Sequence, residues 1–209
     1  MHQTAAENVT RFFTTYVYPR QQNNTIVEIG ACIGGFDIRS LNPQGSTYIG
    51  VDIHQVPGVD IVLTDPYVLP FEDNSVDFVI SSSCFEHCEF FWLSFLETIR
   101  VLKPDGLFYL NAPSNGDFHR YPVDCWRFFP DSANALVNWG KKHNYNCEVV
   151  EQYTSDKETD IWADYVAVFI KDIAYLDKYP NRIINSFFNY TNGSVFPHKD
   201  IHRPKHWLQ

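Results

Sequence analysis

The sequence is short of positive charge. Against 25 Asp and Glu it sets only 16 Lys and Arg, a formal net charge of −9 over 209 residues. That disfavours a nucleic-acid backbone or an anionic membrane surface as partner, because both need clustered cations. A weak basic patch lies only toward the C-terminus. The cysteines Cys32, Cys84, Cys88, Cys125 and Cys147 contain no CxxC pair and are odd in number. Neither a zinc module nor a disulfide framework is suggested, and free thiols fit a reducing compartment. No apolar run approaches membrane-spanning length, and no basic-then-apolar leader opens the chain. The expectation is a cytoplasmic protein with no membrane insertion. Internal repeats and low-complexity segments are absent as well.

What is present is a hydrophobic share of 44% and a high aromatic share of 16%. The length suits one domain with a full core, residues 1–209. Residues 3 to 20 place Val9, Phe12, Phe13, Tyr16 and Val17 at helical spacing, which makes 1–24 an N-terminal helix. Short apolar runs at 25–30, 47–52, 59–63, 76–82 and 107–112 read as strands, the fourth as a buried parallel one. Helices are expected at Gly35 to Leu41, Glu89 to Leu102 and Pro130 to His143. Lys103-Pro104-Asp105-Gly106 stops the second of these. Cys147 to Tyr153 and Tyr165 to Lys171 read as a closing antiparallel pair. Strands alternating with helices predict an α/β fold with helices on both faces of the sheet. The core spans 25–172 with a long loop at 113–131. Residues 173–209 read as a tail that wraps the domain or docks a partner.

The most informative stretch is Val27-Glu28-Ile29-Gly30-Ala31-Cys32-Ile33-Gly34-Gly35. A strand ends in an acid and then a glycine-rich turn. A second strand, Tyr48-Ile49-Gly50-Val51, is tipped by Asp52. Glycines let backbone approach a ligand, and a carboxylate accepts from ribose hydroxyls. The pattern is half of a nucleoside site, and alone it also marks NAD binders. Further on come Asp65, Leu69-Pro70-Phe71, the Asp77-Phe78-Val79-Ile80 strand, Phe85-Glu86-His87 and Val101-Leu102-Lys103-Pro104-Asp105-Gly106.

In that order, over residues 25 to 112, these motifs resemble the class I S-adenosylmethionine-dependent methyltransferases of the type-11 group. The resemblance implies a Rossmann-like fold, with a mostly parallel seven-stranded sheet and an antiparallel edge strand. It implies S-adenosyl-L-methionine as cofactor and S-adenosyl-L-homocysteine as product. Glu28, Gly30, Cys32 and Gly34 would line the methionine part, and Asp52 with Ile53 the ribose. Asp65 and Pro66 would meet the adenine, and Ser82 and Ser83 the sulfonium end. Two residues depart from the pattern. Cys32 stands where the family has a middle glycine. Pro66 has no N–H, so Tyr67 would have to donate to the adenine ring.

The loop after the fifth strand should face the transferred methyl group, since ligands sit at the carboxyl ends of parallel strands. Loops this long without their own structure tend to be functional. Its segment from His119-Arg120-Tyr121-Pro122 through Asp124, Trp126-Arg127-Phe128 and Pro130-Asp131 resembles methyltransferases that accompany glycosyltransferases in glycan assembly. A sugar hydroxyl is the acceptor this implies. Glycosyltransferase domains of the same pathway are the implied partners, and a viral source would place the protein in host cytoplasm. A hydroxyl needs a general base. His119 is the first candidate, Asp124 a base or its orienter, and His87 the rival. Arg120, Tyr121, Trp126 and Arg127 would bind or stack on the sugar. Phe128 and Phe129 read as core packing.

No metal is predicted, although Asp117, Asp124 and Glu86 leave a divalent ion open. His198, His202 and His206 recur every four residues, but Pro197 and Pro204 argue against one helix. Three other readings stand beside the sugar O-methyltransferase. They are a methyltransferase for a non-sugar acceptor, an NAD-dependent oxidoreductase, and a non-catalytic binding module. Glu28 before the glycines and the closing hairpin speak against the oxidoreductase. Cys32 and Pro66 keep the non-catalytic module in play.

Overall fold

A computed structural model describes residues 2–156 and 161–202. The strands are β1 (Thr25–Ile29), β2 (Thr47–Asp52), β3 (Ile61–Val62), β4 (Val76–Ser82), β5 (Leu102–Pro113), β6 (Glu148–Ser155), β7 (Asp164–Ile170), β8 (Tyr190–Val195) and β9 (His198–His202). The α-helices are α1 (Gln3–Phe12), α2 (Phe91–Val101) and α3 (Pro130–Lys142). One sheet runs in the order β3-β2-β1-β4-β5-β7-β6-β8-β9. The first five strands pair in parallel, and every ladder from β5 to β9 is antiparallel.

The expected parallel core with an antiparallel edge is therefore present, on nine strands rather than seven. The extra two come from the tail. After β7 the chain crosses one face of the sheet and returns as β8 against β6. Buried Glu151 anchors that crossing by accepting the backbone N–H groups of Ile183 and Ile184 at 2.7 and 3.1 Å. Tyr16 donates to the same carboxylate, so the N-terminal segment and the tail share one buried acceptor.

Both faces of the sheet are covered, so its central strands are apolar on both sides. Val27, Val79 and Phe108 pack with Phe95 and Ile99 of α2 and Leu136 of α3. Ile26, Phe78 and Tyr109 pack with Val9 and Phe12 of α1 and with Ile183 of the tail. The Phe12 and Tyr109 rings lie 4.8 Å apart. α1 continues as a π turn, Phe13–Val17, that buries Phe13, Tyr16 and Val17, and then as a 3-10 turn, Tyr18–Arg20, with no buried residue.

Two local expectations change. The helix expected at Gly35 to Leu41 is only a 3-10 turn, Ile38–Leu41, capped by Asp37 accepting from the Arg39 N–H at 3.0 Å. Arg39 is drawn off to the Gly58 carbonyl (3.0 Å) and Asp60 (2.5 Å), and Pro43 prevents extension. The third strand shrinks to Ile61–Val62. Elsewhere α2 ends at Val101, and Lys103-Pro104-Asp105-Gly106 enters β5 directly. The histidines at 198 and 202 bound strand β9, while His206 and Pro204 lie outside the described residues.

Candidate active site

The C-terminal ends of β1, β2 and β4 open into a cleft of about 720 Å³. Its size is that of a ligand site. Glu28, Gly30, Cys32, Gly34 and Asp52 line one half. Ser82 and Ser83 lie between, and Glu86, His87, His119, Arg120 and Tyr121 line the other half.

In the first half the backbone turns sharply at Gly30, with φ +81°. A Cβ built there would sit 2.6 Å from both Cβ and Sγ of Cys84. Only glycine lets β1 end against Cys84, two residues past β4. The Gly30 and Ala31 N–H groups donate to the Val51 carbonyl at 2.9 and 3.2 Å, tying the turn to β2. Glu28 is buried, and Tyr48 donates its hydroxyl to Oε2 at 2.7 Å. Burial pushes the Glu28 carboxyl up to about 7, against the partial relief of that hydrogen bond. One Asp52 oxygen accepts from the His54 N–H at 2.9 Å.

Ile53, Asp65 and Pro66 do not line the cleft. Asp65 instead accepts the Tyr67 N–H at 2.8 Å, a local turn. The donor expected to replace the missing Pro66 N–H is therefore already engaged. His54, Val56 and Cys84 line the cleft without having been singled out. Their position just past β2 and β4 was the available signal.

The second half is built by the loop between β5 and α3. The Glu86 carbonyl accepts the N–H groups of Cys125 and Trp126 at 2.8 and 3.2 Å. Phe128 is buried and its N–H reaches the Pro113 carbonyl at 3.0 Å. At the other end, Asn115 accepts from the Ala163 N–H at 2.6 Å. Gly116 (φ +101°) gives room for the Trp162 ring, which a Cβ would strike at 2.0 Å. Trp162 and His2, both unforeseen, complete the wall. They come from chain segments far from the loop in sequence.

Inside the loop, Arg127 grips Asp124 with two parallel bonds of 2.6 and 2.9 Å. The guanidinium holds the Asp124 carboxyl well below the usual range, with a further contribution from the His119 N–H at 2.8 Å. Asp124 is thus saturated as an acceptor and is a poor proton acceptor. It touches His119 at the backbone N–H and, at 3.5 Å, at Nδ1. Arg127 also donates to the Asp117 carbonyl at 2.9 Å and does not line the cleft. Trp126 likewise turns away: its Nε1 donates to the Cys88 carbonyl at 3.0 Å and its ring packs on Phe91. Of the four residues expected to contact the acceptor, Arg120 and Tyr121 line the cleft. Phe129, read as core packing, is half exposed.

His119 Nδ1 faces the Asp117 carbonyl at 3.0 Å and the Asp124 carboxylate at 3.5 Å. His87 Nδ1 faces the Val123 carbonyl at 2.5 Å. Both contacts place the ring proton on Nδ1 and leave the Nε2 lone pair open. Burial pushes the His87 imidazole down, which keeps it neutral. Glu86 lies beneath them with 1% exposure, and burial pushes its carboxyl up to about 8.

The glycine turn beneath a cleft at the strand ends, with Glu28 and Asp52 on its walls, belongs to an α/β domain with the Rossmann-like class I methyltransferase fold. The cradle fits the cofactor: a side chain at position 30 is excluded, and both acidic positions face the space beside it. Residues 27–110 match the family described as a methyltransferase domain. The chain is 30% identical over 171 residues to phthiotriol/phenolphthiotriol dimycocerosates methyltransferase 1 of Mycobacterium ulcerans, covering 73% of this chain and 59% of that one. It is 31% identical over 166 residues to the corresponding Mycobacterium tuberculosis enzyme, covering 70% and 57%. The chain thus spans less than two thirds of these relatives' length.

Among solved structures, an Archaeoglobus fulgidus SAM-dependent methyltransferase aligns with TM-score 0.58 at 16% identity, covering 79% of this chain and 94% of that one. A Burkholderia thailandensis 1,6-didemethyltoxoflavin-N1-methyltransferase with bound S-adenosylhomocysteine aligns with TM-score 0.56 at 14% identity, covering 82% and 91%. At such identities the shared property is the fold. The dehydrogenase reading is set aside by these matches.

Proposed function

We propose that this chain methylates a hydroxyl group from S-adenosylmethionine, with a sugar hydroxyl of a glycan or glycoconjugate as acceptor. The observation that carries the reading is one cleft with two unlike halves. Gly30, Glu28 and Asp52 line one, and two imidazoles, each with Nδ1 against a backbone carbonyl, line the other. When bound, S-adenosylmethionine supplies an electrophilic methyl carbon and leaves as S-adenosylhomocysteine. Glu28, Gly30, Cys32, Gly34 and Asp52 would hold it. The chain's own residues then orient an acceptor, which supplies much of the rate in such a displacement. His119 takes the hydroxyl proton on Nε2, and Asp124 fixes the ring. His87 stands 5.0 Å away, ring centre to ring centre, as the alternative base. Arg120 supplies a hydrogen-bond donor, and Tyr121 and Trp162 supply flat faces for a sugar ring.

A second reading is a non-sugar alcohol of the kind named in the mycobacterial relatives. Phe118 and Tyr121, 70% and 79% exposed, favour it by giving the rim of the cleft an apolar character. Calorimetric titration with S-adenosylhomocysteine and with NADH tests the cofactor. Binding of the first and not the second is expected, and the reverse sinks the proposal. A methyl-transfer screen then sets rhamnosides, fucosides and nucleotide sugars against long-chain alcohols. Turnover confined to the alcohols ends the glycan reading and leaves the methyltransferase standing.

A further inference from the structure

We propose that Glu86, His87 and His119 form a binding site for a divalent transition-metal ion at the acceptor end of the cleft. One donor atom from each lies within 4.8 Å of the other two. Two imidazoles and one carboxylate form a donor set that suits zinc, iron or cobalt, whereas magnesium and calcium prefer oxygen alone. Metal bonds of about 2.0–2.2 Å would draw these atoms closer by roughly an ångström, within the reach of side-chain rotation.

Two independent observations point to an occupant. Among the described residues Glu86 Oε2 is buried without a hydrogen-bond partner, while Oε1 lies 3.7 Å from His87 Nε2. A buried carboxyl oxygen left unpaired is costly, and an ion would satisfy it. Both histidines also present the outer arrangement that metal ligands have. Each directs Nδ1 at a backbone carbonyl, Val123 for His87 and Asp117 for His119, which leaves Nε2 as the nitrogen available to an ion. The frame is rigid as well, since the Glu86 carbonyl carries the loop that follows His119.

The inference rests on reading this half of the cleft as the acceptor half, and it deepens that reading. An ion held here would lower the pKa of an acceptor hydroxyl bound to it. With the ion bound, the two imidazoles and Glu86 would hold it, so the ion would take over from His119 the activation of the hydroxyl, whose proton would leave to solvent water; His119 would act as base only in the ion-free cleft.

The test titrates the full chain with Co²⁺, followed by visible absorption and by calorimetry. Saturable one-to-one binding is expected, with ligand-field bands and no thiolate charge-transfer band, so that Cys84 and Cys88 are not ligands. Glu86→Gln, His87→Ala and His119→Ala should each weaken it by about tenfold or more. S-adenosylhomocysteine affinity, measured on the same samples, should stay within about twofold. No saturable Co²⁺ binding, a thiolate band, or binding that survives His119→Ala overturns the proposal. His119 is about a third exposed on the loop, so that variant is decisive even where Glu86→Gln fails to fold. Loss of S-adenosylhomocysteine binding by the parent chain would strike the methyltransferase reading instead, and is read separately.

Discussion

The two halves of the cleft are built by different means. The half lined by Glu28, Gly30 and Asp52 stands on the ends of three parallel strands and one glycine turn, so its geometry is a property of the sheet. The half lined by His119, Arg120 and Tyr121 stands on a loop that, among the described residues, belongs to no sheet ladder. It is assembled from a bidentate ion pair, a borrowed carbonyl and rings from distant segments. The difference teaches where each half is vulnerable. The first fails through backbone sterics and the second through loss of anchors.

The largest effect should come from the glycine turn. Gly30→Val places a branched side chain where even a Cβ meets Cys84 at 2.6 Å, on a backbone with φ +81°. S-adenosylhomocysteine affinity should fall on the order of 100-fold or more, with a lowered melting temperature. Calorimetry showing near-normal affinity would mean that the two halves do not differ in this way. Next, His119→Ala should cut methyl transfer by roughly 10² to 10⁴ while leaving cofactor affinity alone. If His87→Ala has the larger effect instead, the base sits on the β4 side of the cleft.

Arg127→Met comes third. It leaves Asp124 without its clamp, so amide hydrogen exchange across residues 114–129 should speed up by about tenfold. Exchange in β1 and β4 should not change. Equal acceleration in both would erase the distinction between sheet-built and loop-built halves.

The smallest effect is a pH dependence in the cofactor half. Burial raises Glu28 from 4.5 to about 7, so the folded state keeps a proton that the unfolded chain releases between those values. That contribution is fully present below about pH 4.5 and is lost as pH rises through about 7. Glu28→Gln should flatten this part of the melting-temperature profile. An unchanged slope would show that the carboxyl is not the group responsible.

The same contrast explains what the sequence reveals. Glu28, Gly30 and Asp52 are legible because a strand, its turn and the next strand are close in sequence. Their meaning depends on spacing. The fold was legible for a related reason: apolar runs and helix stops mark elements locally. The tail was not, because β8 earns its place by pairing with β6 and by reaching the Glu151 carboxylate. Neither partner is near it in the chain. In the acceptor loop, residue type misled. Arg127 and Trp126 have the chemistry of sugar contacts, yet both serve the loop's own anchoring. Nor could Trp162 be assigned to the wall before Gly116 was seen to make room for it. Asp65 is ambiguous for another reason, since an Asx turn and a ligand contact ask for the same residue.

Glu86 grips the loop through its main-chain oxygen and presents its side chain to the cleft. A main-chain anchor survives any substitution at that position. The rim residues Phe118, Arg120 and Tyr121 project past the anchors, with Phe118 and Tyr121 largely in solvent. If these residues meet the acceptor as proposed, its choice is uncoupled from loop architecture, and new specificities are open to drift or to directed evolution. A library restricted to positions 118, 120 and 121 would explore acceptors on a chassis that stays put.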